Sequence, residues 1–222
     1  MHVPTRITQE DGHYFAQINS LTNSVYAVVW HSKTFADAAN HWAKTDINDL
    51  ASRMVIQGVS AERFAPDRSV TRAEFTAILL RALGIHAAKD DAKVAFNDVR
   101  AADWYRDSVV NAVSYGLITG YSDGSFRPNA SISREEAIVM INRASAMTSL
   151  AQASASETAG LISQFRDKAS IDGWAQAAVA SGAKQGIVKG TNGKLLPKQP
   201  ITRAESAVMI KRMLVAAGLI NS

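Results

Sequence analysis

Three times along the chain, a hydroxyl residue followed three places later by glutamate stands immediately before an apolar run. The copies are Thr71-Arg72-Ala73-Glu74, Ser133-Arg134-Glu135-Glu136 and Thr202-Arg203-Ala204-Glu205. This is the capping-box pattern. The hydroxyl accepts from the amide at the third helical position, and the glutamate reaches back to the amide of the cap. Helices are therefore predicted to begin at all three sites and to run through Phe75–Leu83, Ala137–Ala144 and Ser206–Ala216. Their apolar residues cover much of the circumference, as expected of helices buried among others.

Each predicted helix closes a larger repeated unit. The unit opens with Phe-x-Asp (Phe35-Ala36-Asp37, Phe96-Asn97-Asp98, Phe165-Arg166-Asp167), followed by a tryptophan (Trp42, Trp104, Trp174). A glycine comes 16 residues after each tryptophan (Gly58, Gly120, Gly190), and the helix cap follows after 13, 13 and 12 more. Fixed internal spacing with variable connectors marks a structural repeat. The stretch from tryptophan to glycine reads as a first helix, with Trp104, Val109, Val110, Ala112, Val113 and Leu117 forming its apolar face in the second copy. Gly116 and Gly186 suit left-handed helix ends, whereas Met54 at the same place predicts a different ending in the first copy. The residues after the glycine are loop, and Met147–Ser163 is an Ala- and Ser-rich connector with room for a short helix.

Residues 1–34 follow another pattern. Val3–Thr8 and His13–Ile18 alternate like strands around the turn Glu10-Asp11-Gly12, and Val25–Trp30 after Asn23-Ser24 is a third β-branched run. Two or three strands alone are marginal in water, so this segment reads as the β-like tail of an upstream domain or linker. The division is then 1–34, a first repeat at 35–95, a second with its connector at 96–164, and a third at 165–222. One two-helix unit cannot bury its apolar face, so the copies must pack together, either as a linear stack or as a closed ring.

Composition removes several functions. With 24 Lys and Arg against 20 Asp and Glu, scattered rather than clustered, the chain carries no nucleic-acid signature. It has no cysteine, hence neither a disulfide nor a thiolate zinc site. No apolar run reaches the roughly 18 residues a membrane span needs, and the start does not read as a signal peptide. The five histidines share no spacing or repeat symmetry, and no serine sits in a nucleophile elbow, so catalysis is not expected. Asp123-Gly124 lacks the alternating acids of a calcium loop, and neither a metal nor a cofactor is called for.

The order Phe-x-Asp, Trp, Gly-x-Ser-Asp-Gly-x-Phe-x-Pro and Ile-Thr-Arg-Ala-Glu, three times over from residue 35 to about 218, resembles the S-layer homology family. The resemblance implies a mainly α fold. Three helix-loop-helix repeats would close into a pseudo-threefold assembly around a central helical bundle, behind a short N-terminal β segment. It also implies an extracellular place in the cell wall or S-layer. There, the module would anchor a bacterial surface protein by binding a secondary cell-wall polysaccharide in inter-repeat grooves. Its implied partners are that acidic polysaccharide, with pyruvylated N-acetylmannosamine, and a cargo domain upstream. The third loop, Thr191–Pro197, lacks the Asp-Gly-x-Phe element, so the grooves are expected to differ.

The residues themselves suit an acidic sugar. Arg72, Arg134 and Arg203 occupy the first helical position, where a cation is disfavoured by about 0.3–1 kcal/mol. They would offer planar forks for a carboxylate beside the open amides of a helix start. Asp37, Asp98 and Asp167 either accept sugar hydroxyls or tie down the loop. Trp42, Trp104 and Trp174 could stack on a sugar face, although a tryptophan in a helix's first turn is more often core. Gly58, Gly120 and Gly190 shape the backbone and allow close approach of a ligand. Arg81, Arg143 and Arg212 recur within the second helices and read as bridging repeats or lying along the bundle. Two other readings stay open: a protein–protein interaction module, and an accessory fragment of a wall-acting hydrolase.

Overall fold

A computed structural model describes residues 2–20, 25–86 and 96–222. A β-hairpin comes first, β1 (Thr5–Glu10) and β2 (His13–Ile18), paired antiparallel with Thr5 opposite Ile18 and Glu10 opposite His13. Among the described residues seven α-helices follow: α1 (Lys44–Ser52), α2 (Arg72–Leu83), α3 (Arg106–Ser114), α4 (Arg134–Ser145), α5 (Ala155–Ile162), α6 (Gly173–Lys184) and α7 (Arg203–Ala216). The predicted capping boxes are complete at α2, α4 and α7. A fourth, formed by Ser154 and Glu157, starts α5 inside the Ala- and Ser-rich connector.

The first helices are shorter than the tryptophan-to-glycine stretch. Each ends in a left-handed residue two positions past its last helical one, at φ 61° for Met54, 68° for Gly116 and 73° for Gly186. The different ending expected in the first copy is not found. The amides of Val55, Leu117 and Ile187 bond back to the carbonyls of Leu50, Ala112 and Gly182 in the same way, so that bond holds Met54 where glycine would sit without strain.

The copies are joined head to tail. At the residue before each cap, the Val70 amide donates to the Ile201 carbonyl (3.0 Å), Ile201 to Ile132 (3.1 Å), and Ile132 back to Val70 (3.0 Å). All three side chains are fully buried. The helix starts repeat the cycle. The first two amides of α2 donate to Ala130 and Pro128, those of α4 to Gln199 and Pro197, and those of α7 to Arg68 and Pro66. Each copy's loop therefore caps the helix of the copy before it, and the third copy returns to the first. Helices α2, α4 and α7 touch one another at the centre, while α3 packs on α2, α6 on α4 and α1 on α7. One hydrophobic core runs through all of them, from Phe35 to Ile220.

The hairpin is tied to the last turn of the chain. The Asn221 side chain accepts from the Ile7 amide and donates to its carbonyl, occupying that stretch of the β1 edge. His2 is buried, and burial together with the Arg53 charge pushes its imidazole down to about 4, so it packs as a neutral ring. Gly84, at φ 69°, lets the arm pass, because a Cβ there would stand 2.9 Å from the Pro4 ring. Residues 25–30, expected to be strand-like, pair with no strand among the described residues and are exposed; Asn23-Ser24, just before them, lies outside those residues.

Removing the third copy from Phe165 onward would strip the first two amides of α4 of their acceptors and leave α1 without α7. The truncated chain is expected to lose the cooperative thermal transition of the parent, read by circular dichroism and calorimetry. An unshifted sharp transition would show that the copies fold independently.

Candidate functional site

The Phe-x-Asp motif builds the loop that caps the neighbouring helix. Both oxygens of Asp37 accept backbone amides, from Phe64 and Ala65 at 2.8 Å each. Asp98 takes those of Phe126 (2.8 Å) and Arg127 (2.7 Å), and Asp167 those of Leu195 and Leu196 (2.8 Å each). Burial raises the Asp37 and Asp167 carboxyls, but the two amides and a nearby cation outweigh it and leave both below the ordinary carboxylate value. The second residue of each pair is forced left-handed without being glycine: Ala65 at φ 57°, Arg127 at 58°, Leu196 at 59°. The proline after it supplies the carbonyl that caps the second helix of the preceding copy. The motif's phenylalanine presses on the repeat glycine. A Cβ on Gly58 would lie 2.6 Å from the Phe35 ring, and one on Gly120 2.3 Å from Phe96. At Gly190 it would lie 3.1 Å from Phe165 and 2.8 Å from the Lys194 carbonyl. Loop closure alone therefore requires glycine there.

Open amides were expected beside the three arginines, and the structure corrects this, since loop carbonyls already occupy them. The arginines are not solvated on an exposed first turn either; each reaches into the next copy. Arg72 donates to the Thr119 carbonyl (2.9 Å) and lies 3.4 Å from Glu136, against the rings of Tyr121 and Phe126. Arg134 pairs with Glu205. Arg203 finds Glu74 already held by Arg68, and instead donates to the carbonyls of Phe64 (2.7 Å) and Gln57, stacked on the Phe64 ring. Burial lowers the Arg203 guanidinium from its ordinary value, the nearby Arg68 charge adding to this.

The tryptophans are not core. Trp42 is 67% exposed, Trp104 66% and Trp174 56%, each just before or within the first turn of its first helix. Two of them border grooves that correspond copy for copy. Trp42 faces α7 and the third loop across a cavity of about 450 Å³ lined by Arg134, Lys189, Gly190, Thr191, Glu205 and Arg212, with Ile138, Val188, Val208 and Met209 as apolar floor. Trp104 faces α2 across about 320 Å³ lined by Gln57, Ala77, Leu80, Arg81, Ile85, Ser108 and Asn111. Each groove sets an indole of one copy against an arginine of the preceding copy's second helix. That arrangement can take a sugar ring on the indole and an anionic substituent on the guanidinium.

Of the residues singled out in the sequence, Trp42, Arg134 and Gly190 come together in one groove and Trp104 borders the other. Arg72 and Arg203 sit in the joints between copies, and the three aspartates and Gly58 and Gly120 in the loops that form those joints. Sequence reasoning set aside Arg81 and Arg212, which line the grooves. Their recurrence at one helical position was the available signal, and which copy's tryptophan each one faces follows only from the ring.

Residues 34–76, 95–138 and 164–207 each match the family described as the S-layer homology domain. The chain is 40% identical over 203 residues to an amylopullulanase of Thermoanaerobacterium thermosulfurigenes, covering 90% of this chain and 10% of that protein. It is 33% identical to the surface-layer 125 kDa protein of Lysinibacillus sphaericus over 78% of this chain and 14% of the relative. With the cellulosome-anchoring protein of Acetivibrio thermocellus the figures are 36%, over 50% of this chain and 26% of the relative. The chain thus spans about a tenth to a quarter of the length of these relatives.

Joint and groove residues should separate by substitution. Asp98→Ala and Arg203→Ala each leave two backbone groups without that partner, one of them at a buried phenylalanine (Phe126 and Phe64), and are expected to lower stability by about 1–3 kcal/mol. Trp104→Ala, at an exposed position, should stay within about 0.5 kcal/mol. Denaturant melts of the three variants check this, and a Trp104 variant as damaged as Asp98→Ala would make that tryptophan part of the packing.

Proposed function

Because this chain belongs to the S-layer homology domain family, a family of non-catalytic modules of surface proteins, we propose that it fastens its polypeptide to the wall by holding an acidic secondary polysaccharide in the inter-copy grooves. Its place is the cell surface, as for the surface-layer and cellulosome-anchoring relatives. Relatives that are enzymes share only a small fraction of their length with it, so their catalysis belongs to other parts of those chains. The cargo here would likewise be a further domain of the same polypeptide.

The observation that carries the reading is the recurrence of one groove: exposed Trp42 opposite Arg212, and exposed Trp104 opposite Arg81. Neither indole is needed to fill the core, and an exposed tryptophan beside an arginine matches a sugar with an apolar face and a carboxylate. A pyruvate ketal on N-acetylmannosamine has both. In the larger groove, Arg134 and the Gly190 main chain join the wall, while Asp37, Asp98, Asp167, Gly58 and Gly120 act by holding the loops. Trp174 is the third copy's equivalent and is assigned the same stacking role. Arg72 and Arg203, directed into the joints, contribute by fixing the distance between copies.

Calorimetric titration with pyruvylated N-acetylmannosamine tests this. Trp42→Ala with Arg212→Ala, or Trp104→Ala with Arg81→Ala, should each abolish the heat from one groove, and either arginine change alone should cost about 1.5–3 kcal/mol of binding there. Melting temperatures should hold within a few degrees. If both double variants bind like the parent, the grooves are not the site.

A further inference from the structure

The two grooves are equivalent in architecture but not in charge. Trp42 corresponds to Trp104, Arg212 to Arg81 and Val208 to Ala77, yet Lys189 in the larger groove stands where the smaller has Gln57. The second copy has Thr119 at that place. Lys189 is exposed and forms no ion pair among the described residues, so its ammonium is available to a ligand. Among the described residues Arg212 makes a long contact, 3.5 Å, to the Ile187 carbonyl and no ion pair. The third cation on that wall, Arg134, is already neutralised by Glu205. Two uncommitted positive charges therefore face the larger groove. The smaller groove has Arg81 alone, with its Nε on the Ala77 carbonyl of its own helix and with neutral Ser108 and Asn111 beside it.

We propose that the grooves are graded by charge, with Lys189 making the larger one select a doubly charged anionic sugar while the smaller accepts a singly charged one without such preference. This rests on the anionic-sugar reading above and sharpens it. Lys189 is its specificity-determining residue: an ammonium on a flexible stem can follow a second anionic group placed at varying distance from the one on Arg212, which a planar fork does less well. A glycan carrying a ketal carboxylate and a phosphate on neighbouring atoms has the required chemistry, and a polymer ending in one charge and bearing two inside would be held differently by the two grooves.

The test isolates each groove. Trp104→Ala with Trp174→Ala leaves the larger groove, and Trp42→Ala with Trp174→Ala leaves the smaller. Each is titrated with pyruvylated N-acetylmannosamine and with the same sugar bearing an added methyl phosphodiester, which brings its charge to two, at low and at high salt. The larger groove should bind the doubly charged probe about tenfold more tightly, with the preference fading in salt. Lys189→Gln should erase that preference and leave binding of the singly charged probe nearly intact, and Gln57→Lys should create the preference in the smaller groove. Binding of both probes with no charge preference, or a preference that survives Lys189→Gln, overturns the grading alone. Absence of binding by either probe to the unsubstituted chain overturns the anionic-sugar reading and the grading with it.

Discussion

Everything in this fold depends on the way one copy's loop completes the preceding copy's helix. A helix start leaves amides without partners, and burying them unpaired would cost more than a short helix gains. Here, the hydroxyl and glutamate of the capping box satisfy the cap and the third position, while carbonyls of another copy satisfy the first two. No copy can start its central helix properly without a neighbour. The triangle of bonds among Val70, Ile132 and Ile201 closes the set, because each residue both donates and accepts. A linear stack would leave one donor and one acceptor open at its ends.

That requirement explains residues far from the triangle. The loop must present a proline carbonyl and, two residues on, a second carbonyl to the neighbour, which takes a left-handed turn at Ala65, Arg127 and Leu196. Aspartate from the start of the same copy holds the turn through two amides, and phenylalanine from the same tripeptide packs where only glycine leaves room. The arginine one step past each cap then crosses the joint it belongs to. Its cation tolerates the positive end of the helix because the helix amides are already engaged and because the next copy supplies a carboxylate or carbonyls. The grooves are a by-product of this arrangement. Each first helix lies on the preceding copy's second helix, so its leading tryptophan overhangs the joint and remains exposed.

Much of this was legible in the residues. The three capping boxes, the hairpin, the helix inside the connector and the repeat itself follow from local pattern. Met54 misled because glycine is the usual signal for a left-handed helix end, while the bond from Val55 back to Leu50 enforces it with another residue. For Trp42, Trp104 and Trp174 the residues left a sugar-stacking and a core reading open: an aromatic in a first turn is core only if something covers that turn, and what covers it is a property of the ring. The destination of Arg72 and Arg203, and the exposure of Arg81 and Arg212 to a groove, likewise depend on which copy neighbours which. Periodicity left that open between a stack and a ring.

Native-state hydrogen exchange at the amides of Val70, Ile132 and Ile201, together with those of Arg72, Arg134 and Arg203, tests the closed ring most directly. If each copy's helix start depends on the next, all six amides should exchange only through one global opening, with a single free energy and a single denaturant dependence. Three separate levels, one per copy, would mean that the copies open on their own and that closure does not hold the fold together.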